Sequence, residues 1–236
     1  MTSEKYKEKK IFAILIAVRS NSTRLPGKHF KIINEKLRLS MIDYCIKRCK
    51  KSKIKNIILC TSSNKNDNIF EKCAKKNKVK IFRGSQNNVL KRYIDCAEKY
   101  NISDIVRITG DCPLVDKNMI NNLLNIYKKN NYDYVSNITP PTFPDGLDVE
   151  FIRLSILKKS FNENKSNENK EHVTLHIRKS NKYKKYNLFY YKKDLSKIKW
   201  SVDTEIDLKL IKEIVTTFHP KIYFDWKDIY KLKKFN

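Results

Sequence analysis

Ile11-Phe12-Ala13-Ile14-Leu15-Ile16-Ala17-Val18 runs directly into Arg19-Ser20-Asn21-Ser22-Thr23-Arg24-Leu25-Pro26-Gly27-Lys28. The first eight residues are apolar, rich in β-branched side chains and end abruptly, the pattern of a central strand in a parallel sheet. The polar loop that follows sets three cations, Arg19, Arg24 and Lys28, just beyond the strand's carboxyl end. Open α/β sheets bind their ligands at that edge. Two guanidinium forks and an ammonium, with backbone N–H groups freed at the Pro26-Gly27 turn, suit phosphate oxygens.

Outward from this loop the pattern alternates. Helical spacing covers residues 39–50, 69–76, 89–100 and 117–128, and short apolar strands cover 56–61, 79–82, 104–109 and 132–136. Strand and helix in turn, joined by short loops, predict a three-layer α/β/α fold with a mostly parallel sheet. The regularity stops after Asn137. The Pro-rich segment 139–144 cannot continue a central strand and reads as a loop over the sheet edge. Residues 161–170 are almost all Asn, Lys, Glu and Ser, which predicts a solvated, mobile connection. A helix over 172–178, strands over 188–191 and 198–202, a helix over 205–217 and a short basic helix over 225–235 complete the reading. Residues 1–236 are thus expected to form one domain, with an irregular excursion around 138–185.

Only 4 glycines occur in 236 residues, against an average usage of about 7%. Gly27, Gly84, Gly110 and Gly146 each close a strand-like run or sit in a polar turn, so the scarce glycines mark places of unusual backbone or close approach. The 6 cysteines lie mostly among apolar neighbours and show no C-x-x-C pair, as reduced core thiols do. Cys45 with Cys49, or His172 with His176, makes only half of a zinc site. No apolar stretch reaches the ~20 residues that a bilayer span needs. The charged start, residues 1–10, has no hydrophobic signal-peptide core, and a cytoplasmic protein is expected. The net charge of +26 favours anionic partners, but the lysines are spread along the whole chain rather than gathered on a stripe with stacking aromatics. Nucleic acid is therefore not the expected partner.

Two acidic residues end strand-like runs in equivalent ways: Thr109-Gly110-Asp111-Cys112-Pro113 and Trp200-Ser201-Val202-Asp203-Thr204. Each also has a local reading, Asp111 as a turn former and Asp203 as the N-cap of the helix that follows. If both reach the basic loop, they offer two hard oxygen ligands for Mg²⁺, which takes one or two carboxylates plus substrate phosphates. A phosphate loop facing a carboxylate pair implies phosphoryl or nucleotidyl transfer, driven by charge neutralisation and positioning. The Walker pattern and G-x-G-x-x-G are both absent, against a P-loop ATPase or a dinucleotide enzyme.

The loop motif, then Phe82-Arg83-Gly84-Ser85 with Val89-Leu90-Lys91-Arg92-Tyr93, Arg107-Ile108-Thr109-Gly110-Asp111-Cys112-Pro113-Leu114, Asp133-Tyr134-Val135-Ser136-Asn137, Pro144-Asp145-Gly146-Leu147-Asp148-Val149-Glu150, Glu171-His172-Val173-Thr174 and Trp200-Ser201-Val202-Asp203-Thr204 occur in one order. In this the chain resembles the spore-coat polysaccharide biosynthesis protein F family, itself similar to the CMP-sugar synthetases acting on acylneuraminate and 3-deoxy-manno-octulosonate. The resemblance implies a nucleotide-diphospho-sugar transferase fold of the glycosyltransferase A type and a homodimer, with the excursion around 138–185 as a source of sugar-site or dimer contacts. It implies CTP and a sugar, most naturally an acidic one, as substrates, with a sugar hydroxyl attacking the α-phosphate as pyrophosphate leaves. It places the nucleotide at Ala17, Arg19, Ser22, Arg24, Lys28, Gly84, Ser85, Arg92, Thr109 and Gly110, with Arg19, Arg24, Lys28 and Asp111 catalytic. Mg²⁺ falls to Asp111 and Asp203, and the sugar side to Asp145, Asp148, Glu150, Glu171 and His172. The chain departs from the family pattern at Asn87-Asn88, where acidic residues are common, and at Leu175-His176, where Pro-Tyr is usual.

Other functions share parts of this pattern. A glycosyltransferase of the same fold would hold the metal of a nucleotide-sugar with the same carboxylates, and guanylyl or uridylyl transfer to a sugar 1-phosphate would use the same loop. A basic nucleic-acid-binding protein would rest on the charge alone.

Overall fold

In the computed structural model, residues 10–236 are described; most of the charged N-terminal start lies outside them. The chain runs β1 (Phe12–Ala17), a 3-10 turn at Lys28–Phe30, β2 (Ile32–Asn34), β3 (Leu39–Ser40), α1 (Met41–Cys49), β4 (Ile57–Ser62), α2 (Ile69–Asn77), β5 (Lys80–Gly84) and α3 (Val89–Lys99). It continues through β6 (Asp104–Thr109), α4 (Lys117–Asn130), β7 (Tyr134–Ser136), β8 (Glu150–Arg153), α5 (Leu154–Glu163), α6 (Asn167–His172), α7 (Leu175–Lys179), β9 (Lys185–Asn187), α8 (Glu205–Thr217) and α9 (Trp226–Lys231).

Seven strands form one sheet in the order β5-β4-β1-β6-β8-β7-β9, and β8 alone runs antiparallel to its neighbours. β1 lies between β4 and β6, parallel to both, which is why its sequence is apolar on both faces. Ile14 and Ile16 point into a core shared with α1, α4 and α8. Ala13 and Leu15 point the other way, toward α3, α5 and α7. Each fully buried Ile or Leu contributes about 1.5–3 kcal/mol, so these two cores hold the three layers together. With both faces clamped, the carboxyl end of β1 is a rigid base for the loop that leaves it.

Helix starts follow local chemistry. Ser40 and Asp43 form a capping box on α1, and Thr204 and Asp207 form one on α8. Asp116 caps α4 and also accepts the Trp226 backbone N–H at 2.9 Å, tying α9 to the same end of the molecule.

The fold corrects the sequence reading mainly in the second half. Residues 150–153 form β8, which lies within the expected irregular excursion. The polar stretch 161–170 is the end of α5 and most of α6, with Asn169 fully buried and its side chain bonded to the Asn164 carbonyl and the His176 N–H. The helix expected over 172–178 is broken at Val173, whose φ is +57°, so α6 and α7 are separate. Residues 188–191 and 198–202 are apolar but make no ladder beyond a single bridge from Asp145 to Lys199. The strand there is β9, just before the first of them. Residues 39–40 pair with β2 instead of opening α1.

Candidate active site

The loop after β1 is bound from below. Asp67, 2% exposed in the turn before α2, accepts the Ser20 N–H at 2.7 Å and the Ser62 N–H at 3.2 Å. Burial would raise the Asp67 carboxyl, but hydrogen bonds from Ser20 and Ser62, the Ser62 hydroxyl among them, hold it below the usual carboxylate range. Gly27 adopts the left-handed conformation, φ +67°, that turns the chain into the 3-10 turn carrying Lys28. At the end of β6, Gly110 donates its N–H to the Ala17 carbonyl at 2.9 Å. A Cβ there would meet Val18 at 2.5 Å. Gly110 thus lets the β6 end close on the loop from beneath rather than facing the cleft.

Lys28 is the centre of the site. It is buried, and its ammonium donates to Asp111 Oδ2 at 3.0 Å, Asp203 Oδ1 at 3.1 Å and the Val202 carbonyl at 2.7 Å. Arg24, largely exposed, reaches the same Asp203 Oδ1 at 3.0 Å. The three sequence motifs therefore meet at one point, across 83 and 174–175 residues of chain. Neither carboxylate is used up locally: Thr204, not Asp203, caps α8, and Asp111 turns toward Lys28. Burial would raise the Asp111 carboxyl, but Lys28 beside it holds it below the ordinary range, so it stays ionised.

Above this cluster opens a cleft of about 520 Å³, bounded by the loop on one side and by α3, β6 and α6 on the other. Of the residues expected in the site, Ala17, Arg19, Ser22, Arg24, Lys28, Arg92, Thr109, Asp111, Asp203, Glu171 and His172 line it. Gly84 and Ser85 lie behind its wall. A Cβ on Gly84 would meet the Phe82 ring at 2.6 Å and the Arg92 stem at 3.1 Å, while Ser85 Oγ accepts the Asn88 N–H, and Asn88 caps α3. Asp145 accepts the Ser201 hydroxyl at 2.5 Å, under the cleft. Glu150 is buried, paired with Arg107 and bonded by the Tyr134 and Thr174 hydroxyls at 2.6 Å each, which fixes β8 rather than presenting a carboxylate to a ligand. Asp148 is half-buried beside Asp145 and Glu150. Desolvation first, then these neighbouring carboxylates, push it up to about 7.

The sequence reading passed over His29 and Asp67. His29 lines the cleft yet is 4% exposed, packed edge-on against Phe70 at 5.6 Å. Burial and the Lys28 charge lower it to about 4, so it is neutral at neutral pH. Its position next to Lys28 was the available signal. Asp67, in a polar stretch with no motif, gave none. His176, on α7, bonds Glu163 instead of lining the cleft.

For a metal, the described residues contain no group of three or more His, Cys, Asp or Glu side chains placed to hold one. They do contain a pair of hard carboxylate oxygens converging on one cation, which fits an ion that draws its remaining ligands from phosphate and water. Asp111 and Asp203 are the residues that would hold Mg²⁺.

The sheet order with one antiparallel strand, and a cationic loop meeting two carboxylates beside the carboxyl end of β6, are those of a nucleotidyltransferase. The chain belongs to the cytidylyltransferase family, whose sequence profile matches residues 13–230. A cytidylyltransferase structure from Leptospira borgpetersenii is similar over 96% of this chain and 94% of that one, with a TM-score of 0.89 and 31% identity. The spore coat polysaccharide biosynthesis protein SpsF of Bacillus subtilis is 29% identical over 175 residues, 70% of this chain and 68% of that protein. A 3-deoxy-manno-octulosonate cytidylyltransferase of Fusobacterium nucleatum is 33% identical over 127 residues, covering 50% of this chain and 47% of the enzyme. No described helix is long and apolar enough to cross a membrane.

Proposed function

We propose that this enzyme uses CTP and Mg²⁺ to activate an acidic sugar as its CMP derivative, releasing pyrophosphate, for the assembly of a surface polysaccharide or glycan. The observation that carries the reading is the meeting of Lys28 with Asp111 and Asp203 beneath a cleft that Arg19 and Arg24 also line. Lys28, Arg19 and Arg24 match the charge of a triphosphate, and the loop's backbone N–H groups add donors. An oxygen of the sugar forms a bond to the α-phosphorus. The bond from that phosphorus to the bridging oxygen breaks, and pyrophosphate leaves with its electron pair. The hydroxyl proton passes to solvent. Mg²⁺, held by Asp111 and Asp203, would neutralise charge on the phosphates. The chain's own part is to bring the cations to the leaving pyrophosphate before the reaction starts, the kind of preorganised electrostatics that lowers barriers most.

The sugar side rests on the relatives' chemistry and on the cationic cleft. The test is pyrophosphate release with CTP, GTP, UTP and ATP in turn, each with 3-deoxy-manno-octulosonate, N-acetylneuraminate and a sugar 1-phosphate, with and without Mg²⁺. The reading expects release with CTP, Mg²⁺ and an acidic sugar together. Release with GTP or UTP and a sugar 1-phosphate, and none with CTP, would replace it.

A further inference from the structure

A lysine ammonium has three N–H donors and no acceptor, and in Lys28 all three are spent inside the protein. They go to Asp111 Oδ2 at 3.0 Å, Asp203 Oδ1 at 3.1 Å and the Val202 carbonyl at 2.7 Å. Lys28 nevertheless lines the cleft. A phosphate oxygen there can receive an N–H from it only if one of these bonds is given up.

The carboxylates are committed as well. Asp203 Oδ1 also meets Arg24 at 3.0 Å, and its Oδ2 lies 3.4 Å from Lys199, which is held at 2.7 Å by Asp207. Among the described residues, Lys28 is the one cation paired with both Asp111 and Asp203. Its ammonium therefore stands at the point on which both carboxylates converge. Mg²⁺ takes its oxygens at about 2.0–2.1 Å, so an ion shared by the two would have to sit at that same point. Two carboxylates turned to one place repel each other unless a cation lies between them. The ammonium can leave only if another cation replaces it there and an anion receives it. A triphosphate in the cleft is such an anion, and it brings a divalent cation with it.

We propose that Lys28 is an exchangeable counter-ion, holding the metal's place between Asp111 and Asp203 until a nucleoside triphosphate takes its ammonium. The carboxylates then open to a divalent metal only once the phosphates are bound. This rests on the reading of the cleft as a cytidylyltransferase site and adds an order of loading to it. One lysine serves both poles of the site, the carboxylates in the free enzyme and the phosphates in the loaded one. If the ammonium holds the shared point for about nine-tenths of the time or more, affinity for metal alone falls about tenfold or more.

The test is titration of Mn²⁺, a paramagnetic probe for Mg²⁺, into the nucleotide-free chain at about pH 8, with free ion read by electron paramagnetic resonance and folding checked by thermal unfolding. Lys28→Met should bind one Mn²⁺ about tenfold or more tighter than the wild type, and adding Asp111→Asn should abolish that gain. Lys199→Met removes an equal charge beside Asp203 without freeing the shared point, so its gain should stay within about threefold. Inorganic triphosphate without metal should bind the wild type about tenfold or more tighter than Lys28→Met, which has lost the charged donor. If Lys28→Met does not fold, Lys28→Gln, with a polar tip between the carboxylates, carries the same comparisons. Mn²⁺ binding as tight in the wild type as in the Lys28 variant, an equal gain in Lys199→Met, a gain that survives Asp111→Asn, or triphosphate binding that ignores Lys28 overturns the proposal. Pyrophosphate release is scored separately: metal and triphosphate behaving as stated with no turnover of CTP would sink the cytidylyltransferase reading and leave the exchange at Lys28 standing.

Discussion

Lys28 Nζ and Asp111 Oδ2 stand 3.0 Å apart, joining the loop after β1 to the end of β6. Asp111 stands just past β6 and Lys28 in the 3-10 turn that ends the loop leaving the neighbouring strand β1, so the pair ties that loop to the carboxyl edge of the β1–β6 ladder. The pair keeps Asp111 ionised and Lys28 fixed.

Lys28→Met should remove one donor proposed for the leaving phosphates and leave Asp111 and Asp203 without the ammonium between them, Asp203 keeping Arg24 and Lys199. We expect kcat to fall about 10²–10³-fold, as for other single electrostatic donors, with a smaller change in KM for CTP. Steady-state kinetics of pyrophosphate release check this, and a loss confined to KM would show that Lys28 only binds.

Asp67→Ala should free the Ser20 and Ser62 N–H groups and loosen the loop from below. Stability should drop by about 1–3 kcal/mol, the cost of leaving buried donors unpaired, read from urea unfolding. KM for CTP should rise together with it. A variant with the same unfolding midpoint and the same KM would show that the loop is held by other contacts.

Glu150→Gln should leave the Arg107 guanidinium buried beside a neutral partner. The expected loss is about 3–5 kcal/mol. Arg107→Met combined with Glu150→Gln should recover part of it, because the double change removes both charges. Additive losses in the double variant would mean that the two side chains act independently.

Asp148 has a folded pKa raised from 3.8 to about 7 by desolvation and by Asp145 and Glu150. A carboxyl raised in this way holds its proton more tightly when folded. Its contribution therefore favours the fold at low pH and is lost as pH rises from about 4 to about 7. Asp148→Asn should raise the unfolding temperature at pH 8 and change it little at pH 4. The opposite pattern would mean that Asp148 is ionised and stabilising in the fold.

Much of the fold's first half was legible because β1 and β4 are apolar runs and strand and helix alternate from there through α4, although the short β2–β3 hairpin gave no such signal and the edge strand β5 carries Lys80 and Arg83. The loop cations and Asp111 were legible because strand ends converge on one edge in such sheets, while Asp203 reaches the same point although the residues before it, 198–202, form no strand. β8 was not, since Glu150-Phe151-Ile152-Arg153 has charged residues at both ends and Glu150 is buried only because Arg107 waits 43 residues earlier. α6 was hidden for a related reason. Its residues are polar throughout, and what holds Asn169 inside is a set of bonds to Asn164 and His176 rather than an apolar face. The apolar segments 188–191 and 198–202 misled in the opposite direction: the Trp200 side chain fills the core while its backbone bonds Asp145 in place of a strand partner. Asp67 shows the same limit at the site, because its value lies in two N–H groups that only the fold brings to it.

The most direct measurement is calorimetric binding of CTP, GTP, UTP and ATP to the wild-type chain and to Lys28→Met, with and without Mg²⁺. The account predicts saturable, Mg²⁺-dependent binding of CTP above the other three, weakened in the Lys28 variant. Equal binding of all four nucleotides, or CTP binding that ignores both Mg²⁺ and Lys28, would contradict it.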